Sequence, residues 1–215
     1  IRETGDYDYQ IARDWIAYQE TRDKWVSDMF TSVFGPKRDS SESLTEHHKN
    51  IAAALQLRLE EVVLAQLRRA REHHSVRRLC LAGGVALNCS LNGKIEQSRI
   101  FDEIFVQPAS GVAGVAAGAC FLAQKAKEPK TQPTKFHNFF LGSAFNDQQI
   151  IDAFAERDMS FARPDNLFEQ VANKLAEGEI VGWFQGGAEF GPRALGNRSI
   201  LTKPYPAEMK DYLNA

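Results

Sequence analysis

Apolar positions recur at helical spacing through much of the first half of the chain. Between Thr45 and His74 there is neither Gly nor Pro, and Ile51, Leu55, Leu59, Val62 and Val63 form a stripe that Leu67 and Ala70 continue. That is the pattern of an amphipathic helix. Thr45 is the predicted N-cap, and Arg68, Arg69 and Arg71 gather at the far end, where the helix dipole favours cations. Ahead of this segment, Trp15, Tyr18, Trp25, Met29, Phe30 and Phe34 sit at roughly helical intervals and read as core-filling aromatics. Gly35-Pro36 and the polar run to Ser41 then break the pattern into an exposed loop.

The middle of the chain changes period. Leu79-Cys80-Leu81-Ala82 is a short apolar run that ends in Gly83-Gly84, and a helix-capable stretch follows to about Arg99. Ile104-Phe105-Val106 repeats the apolar run, ends at Gln107-Pro108, and gives way after Ser110-Gly111 to a small-residue helix from Ala113 to Lys127. Strand, glycine turn and helix, twice over, predict an α/β fold. Residues 128–137 carry two prolines among polar residues and read as a linker. Beyond it, Asn146-Asp147 opens a predicted helix through Phe154, and Leu167 to Ala176 forms another that Gly178 ends. Glu179 to Gln185 reads as a strand entering a glycine-dense turn. The coarse map is two unequal parts joined near residue 132.

Composition narrows the function classes. The 215 residues are 43% hydrophobic and 25% charged, with a net charge of −2, so the chain has a globular balance and no basic field for nucleic acid. No apolar run approaches the ~20 residues that span a bilayer. Cys80, Cys89 and Cys120 are odd in number and lack metal spacing, which points to a reducing, cytoplasmic compartment. The chain begins at Ile1 without Met or signal peptide and ends in no stop signal, so it reads as a piece of something longer. His47-His48 and His73-His74 are adjacent pairs whose side chains diverge by about 100° on a helix, so neither pair chelates by itself.

Three segments are candidates for chemistry. Gly83, Gly84, Val85 and Asn88 follow the first strand, where glycine backbone lets a ligand approach and helical amides suit an anion. A tight strand-to-helix turn accounts for the same residues. Gly111 and Gly114 repeat the arrangement after the second strand, and two such turns at one edge of a parallel sheet point to a nucleotide or phosphate-bearing ligand. Close helix packing is the alternative there. The third segment, Gly186 to Ser199, has four glycines within eleven residues, and Arg193 and Arg198 lie five apart. Both arginines suit a phosphate or carboxylate, with Asn197 and Ser199 completing a cradle and Glu189 orienting an arginine or meeting a metal. No P-loop, G-x-S-x-G, H-E-x-x-H or EF-hand pattern occurs.

Leu79 to Cys89 with Asn92-Gly93, Phe105 to Ala109, Gly114 to Gly118, and above all Val181 to Leu201 (VGWFQGGAEFGPRALGNRSIL) resemble the NodU/CmcH-type O-carbamoyltransferases. Ile51 to Gln56 is similar to that family's preceding helix. The resemblance implies the second half of an actin-like ATPase (ASKHA) domain over 1–128, a linker over 129–137, and the start of a YrdC-like α/β domain over 138–215. It implies ATP and a divalent metal, Fe or Mg, as cofactors, and carbamoyl phosphate as donor. Carbamoyladenylate is the expected intermediate and a sugar or antibiotic hydroxyl the acceptor, the nodulation-factor type being preferred. Homo-oligomerisation is compatible with it, and nucleic acid and a membrane span are not expected.

Carried over, Gly83, Gly84, Val85, Asn88, Gly111 and Gly114 would line the adenylate, and Glu189, Arg193, Asn197, Arg198 and Ser199 the carbamoyl phosphate or ATP. No catalytic residue is assigned. The family has an acidic metal ligand after the second turn's glycine, where this chain has Val112, and its paired metal histidines fall upstream of residue 1. Lys203-Pro204-Tyr205 also replaces an Asp-Pro-Arg run. Two readings therefore stay open: a carbamoyltransferase fragment with a variant metal site, or a diverged, non-catalytic nucleotide-binding relative. A phosphotransferase of the same superfold is a weaker third.

Overall fold

The computed structural model describes residues 2–5, 8–132 and 138–214, so the end of the expected linker, 133–137, lies outside the described residues. The chain divides into two compact units, residues 1–106 and 107–215. Together they have an accessible surface of 16851 Å². A folded chain of this size has about 10,000 Å², or about 12,000 Å² if its halves are counted apart. The excess leaves broad apolar faces uncovered.

The first unit opens with an antiparallel pair, β1 (Arg2–Gly5) and β2 (Asp8–Gln10), that apolar alternation does not announce. The aromatic run after it is only partly helical. Trp15 ends a 3-10 turn, Arg13–Trp15, and a bridge between Ile16 and Val26 closes the segment between them. The α-helix α1 (Asp28–Phe34) starts late because Ser27 caps it, its Oγ accepting from the Phe30 amide at 3.3 Å. Trp15, Phe30 and Phe34 still form an aromatic cluster, Phe30 and Phe34 lying 4.7 Å apart. Trp25 is 75% exposed and is not core.

The glycine-free segment forms α2 (Glu46–His73), with Thr45 as N-cap. Its histidines serve local structure. His48 Nδ1 accepts from the Thr45 amide at 3.1 Å, and His47 Nε2 donates to the Phe34 carbonyl at 2.7 Å. β3 (Arg78–Leu81) leads through a 3-10 turn (Gly84–Leu87) into α3 (Cys89–Gln97), and β4 (Glu103–Val106) returns parallel to β3. Register runs from Arg78 opposite Glu103 to Leu81 opposite Val106. The core gathers around α3: Leu91, Ile95, Ala86 and Phe101 are buried, as is Val62 of α2, which packs on α3. The other face of the strand pair, carrying Cys80 and Phe105, is exposed. Parallel strands ordinarily have both faces covered.

The second unit begins with the turn after β4 and α4 (Ala113–Lys127), which buries none of its residues. α5 (Asp147–Ala155) follows a reciprocal capping box between Asn146 and Gln149, and α6 (Leu167–Glu177) ends at left-handed Gly178. α6 packs on β5 (Val181–Phe184), which pairs antiparallel with β6 (Arg198–Leu201), a strand absent from the sequence expectation. α7 (Met209–Asn214) closes the unit. Among the described residues, no helix is long and apolar enough to cross a membrane.

Candidate functional site

Gly83 and Gly84 stand where the chain leaves the C-terminal edge of the β3–β4 pair. Gly83 has φ +97°, a left-handed conformation that favours glycine, and it initiates the 3-10 turn by accepting from the Ala86 amide at 3.0 Å. Gly84 lies within that turn, and a Cβ added to either glycine would meet nothing within 4 Å. Val85 is exposed beside them. The backbone here is open to an approaching molecule.

Asn88 is placed differently. Its Oδ1 accepts from the Leu91 amide at 3.0 Å, which caps α3, and from Gln56 Nε2 at 3.2 Å. Its Nδ2 donates to Gln56 Oε1 at 2.8 Å. Gln56 in turn donates to Glu60, a buried carboxylate, at 2.7 Å. The side chain read as a ligand contact thus couples α2 to α3 and fixes the turn that carries the glycines.

The second turn belongs to the second unit. Its Gly111 carbonyl accepts from the Gly114 amide at 3.2 Å. A Cβ on Gly114 would sit 2.1 Å from the carbonyl oxygen of fully buried Ala109, so this glycine is required by packing. Gly118, one turn on, meets nothing within 4 Å. Val112 is 90% exposed and offers only hydrocarbon at the position where the resemblance expects an acidic ligand. Among the described residues, no group of three or more His, Cys, Asp or Glu is arranged to hold a metal ion. The described residues do not fit a metal.

The third segment is the loop of the β5–β6 hairpin, and most of its polar groups point into the loop itself. Glu189 Oε1 accepts from the backbone amides of Leu195, Asn197 and Arg198 at 2.8, 2.9 and 3.1 Å. Those amides, led by Leu195, hold its carboxyl down to about 2. Asn197, 7% exposed, donates to the Gly187 carbonyl at 2.7 Å. Ser199 Oγ accepts from the Gly196 amide at 3.0 Å. Arg198 Nη1 donates to the carbonyls of Gln185 and Asn197, and Nη2 to those of Ser143 and Gly186, all between 2.8 and 3.2 Å. Its guanidinium also lies 3.5 Å over the centre of the Phe184 ring.

Two loop glycines answer to packing as well. A Cβ on Gly187 would fall 2.6 Å from the Phe140 carbonyl oxygen, and one on Gly191, at φ +140°, 2.5 Å from that of Pro108. The segment 139–143 runs beside the loop, its Gly142 amide donating to Ala188 and its Ser143 carbonyl accepting from the Ala188 amide. Arg193 lies exposed in the Gly191–Leu195 stretch. The loop is therefore braced from within by Glu189, Asn197, Arg198 and Ser199, and Arg193 is exposed beside them.

A feature that sequence reasoning missed adjoins it. An open apolar groove of about 810 Å³ runs between α5, α6 and β5, walled by Phe154, Phe168, Trp183 and Phe184. Phe184 is the ring that carries the Arg198 guanidinium, so groove and loop share a wall. The aromatic content of 145–184 is the signal available in the sequence. The loop residues Glu189, Asn197, Arg198 and Ser199 are brought together in one unit. The Gly83–Asn88 turn lies in the other.

Comparison with known proteins adds what geometry cannot. A family model for the carbamoyltransferase N-terminus matches residues 3–121, and one for the carbamoyltransferase C-terminus matches residues 172–215. Nodulation protein NolO of Bradyrhizobium diazoefficiens is 42% identical over 175 residues, covering 80% of this chain and 32% of that protein. Nodulation protein NolNO of Sinorhizobium fredii is 44% identical over 176 residues, covering 80% of this chain and 26% of that protein. An uncharacterized protein of Synechocystis is 38% identical over 194 residues, covering 86% and 32%. The chain thus spans between a quarter and a third of the length of these relatives.

Proposed function

Because this chain belongs to the carbamoyltransferase family, we propose that it is part of an ATP-dependent enzyme that carries a carbamoyl group from carbamoyl phosphate, through carbamoyladenylate, to a sugar hydroxyl. Water cleaves carbamoyl phosphate to carbamate and phosphate, a carbamate oxygen attacks the α-phosphorus of ATP, and pyrophosphate leaves. The acceptor oxygen then attacks the carbamoyl carbon, the bond from that carbon to the AMP oxygen breaks, and the hydroxyl proton is released. The likeness to nodulation proteins supports a nodulation-type sugar as acceptor. An ASKHA-type domain over 1–128 and a YrdC-like one beginning at 138 remain the domain reading that accompanies this chemistry.

The observation that carries the proposal is the Gly83–Gly84 turn. It offers unobstructed backbone at the C-terminal edge of a parallel strand pair, where α/β folds bind nucleotides. Gly83, Gly84 and Val85 would face the adenylate, with Asn88 holding the turn in shape. Gly111 and Gly114 belong to the same proposal, Gly114 through the packing of its turn. In the C-terminal loop, Arg193 would meet the anionic donor or ATP, while Glu189, Asn197, Arg198 and Ser199 build the loop that presents it. An acyl adenylate is a reactive mixed anhydride, so a preorganised binding surface also serves to limit its hydrolysis.

The full-length protein, incubated with ATP and carbamoyl phosphate, is expected to release pyrophosphate only when both are present. Absence of carbamoyl-phosphate-dependent pyrophosphate from folded protein would reject the proposal. Val112 supports a second reading, a non-catalytic relative that keeps nucleotide binding. Val112→Asp separates the two. Gained metal binding with gained transfer supports an impaired enzyme, whereas neither gain supports the non-catalytic relative.

A further inference from the structure

The reading of the Gly186–Ser199 loop as an anion cradle leaves its carboxylate unexplained, because Glu189 contributes the wrong charge for meeting a phosphate. Its geometry gives another role. Three consecutive-facing amides, those of Leu195, Asn197 and Arg198, converge on Glu189 Oε1 within 3.1 Å. Such a convergence of backbone N–H groups is the arrangement that ordinarily receives a bound anion. Here the chain fills it with its own side chain.

We infer that Glu189 is a positioning residue: its carboxylate occupies the loop's amide nest, closes the Glu189–Arg198 turn, and thereby fixes the loop backbone in the shape that an incoming phosphate meets. This rests on the anion-binding reading of the loop proposed above. The surrounding contacts agree with it. Asn197 and Arg198, which supply two of the amides, also turn their side chains inward onto the carbonyls of Gly187, Gln185, Gly186 and Ser143. Each inward bond keeps that side chain off the outer surface. The amides hold the Glu189 carboxyl down to about 2, so the nest stays filled even in mild acid.

Charge and positioning predict opposite results when Glu189 is removed. If the carboxylate acted only as a nearby negative charge, its loss would strengthen phosphate binding. If it positions the loop, its loss weakens binding despite the gain in positive charge.

The test uses the full-length protein, with hydrogen exchange of the three amides and titration with inorganic phosphate as readouts. Glu189→Ala is expected to speed exchange at Leu195, Asn197 and Arg198 by about tenfold or more, leaving α2 unchanged, and to weaken phosphate binding by about fivefold or more. Added formate, which refills the nest, is expected to reverse both effects in Glu189→Ala and to improve neither in the wild type. Glu189→Gln keeps an oxygen acceptor and should fall between, and it carries the comparison if the alanine variant does not fold. Unchanged exchange, or tighter phosphate binding, overturns the inference. Wild type that takes no phosphate, alongside formate-reversible exchange in Glu189→Ala, rejects the anion-loop reading and supports the positioning role.

Discussion

The turn at Gly83–Asn88 and the loop at Gly186–Ser199 are both glycine-rich segments following apolar strands, and, Gly196 apart, they use glycine differently. In the turn, neither Gly83 nor Gly84 has a neighbour where a Cβ would stand. In the loop, Gly187 and Gly191 press against carbonyls of other segments, as Gly114 does in the turn before α4. Their polar residues divide similarly. Asn88 supports the turn from behind, through Gln56 and the start of α3, while the loop folds Glu189, Asn197, Arg198 and Ser199 into its own interior. A glycine-rich pattern therefore says that backbone comes close to something. Only the space beyond each glycine says whether that something is the protein itself.

The contrast can be broken most forcefully at the arginines. Arg198→Ala removes four bonds to carbonyls and the stack on Phe184, and is expected to destabilise the second unit by on the order of 3 kcal/mol. Arg198→Lys should recover less than half, because an ammonium cannot fork across two pairs of carbonyls. Arg193→Ala is expected to cost less stability than Arg198→Ala, because Arg193 is exposed, while weakening phosphate binding. Denaturant unfolding together with phosphate titration checks the pair. Equal stability losses at the two arginines would show that the loop is not divided into a bracing and a presenting residue.

A smaller effect separates packed from open glycine on one helix. Gly114→Ala forces a methyl into the Ala109 carbonyl and should cost about 2 kcal/mol. Gly118→Ala, four residues on in the same helix, meets nothing and should stabilise by about 0.5–1 kcal/mol through helix propensity. Thermal unfolding of both variants reads the difference in sign. Asn88→Ala should cost about 1 kcal/mol or somewhat more by removing the α3 cap and the Gln56 pair, and Asn88→Asp should restore the cap. The assay is the same unfolding measurement.

What the amino-acid pattern revealed follows from how local each signal is. α2, the two parallel strands and α5 are set by neighbouring residues, and Thr45 and Asn146 cap where expected. The family was legible too, since Val181 to Leu201 is a long contiguous block. β6 was not, because Arg198-Ser199-Ile200-Leu201 shows little alternation and becomes a strand only by pairing with Val181–Phe184. Helical spacing misled around Trp15 to Trp25, where the Ile16–Val26 bridge replaces a helix that Ser27 starts only later. Within the site, Arg198 and Asn88 were picked out as chemically able, yet their partners Ser143 and Gln56 lie far away in sequence. Reading a side chain as ligand-facing or inward-facing required those distant partners.

The smallest change in stability should accompany the most direct test of the open turn. Gly84 has helical backbone within the 3-10 turn and no neighbour to clash with, so Gly84→Ala is expected to leave unfolding within about 0.5 kcal/mol of wild type. Gly83→Ala differs only in that its φ of +97° strains an added side chain, by about 1–2 kcal/mol. Neither glycine is held by packing, unlike Gly114, Gly187 or Gly191. If the turn receives an adenylate, a methyl on Gly84 occupies space that the ligand needs, and AMP or ATP binding to the full-length protein should weaken by about tenfold while the fold is untouched. A Gly84→Ala protein that binds nucleotide as well as wild type would mean that the space beyond this glycine serves no ligand. The turn would then differ from the loop only in having fewer neighbours.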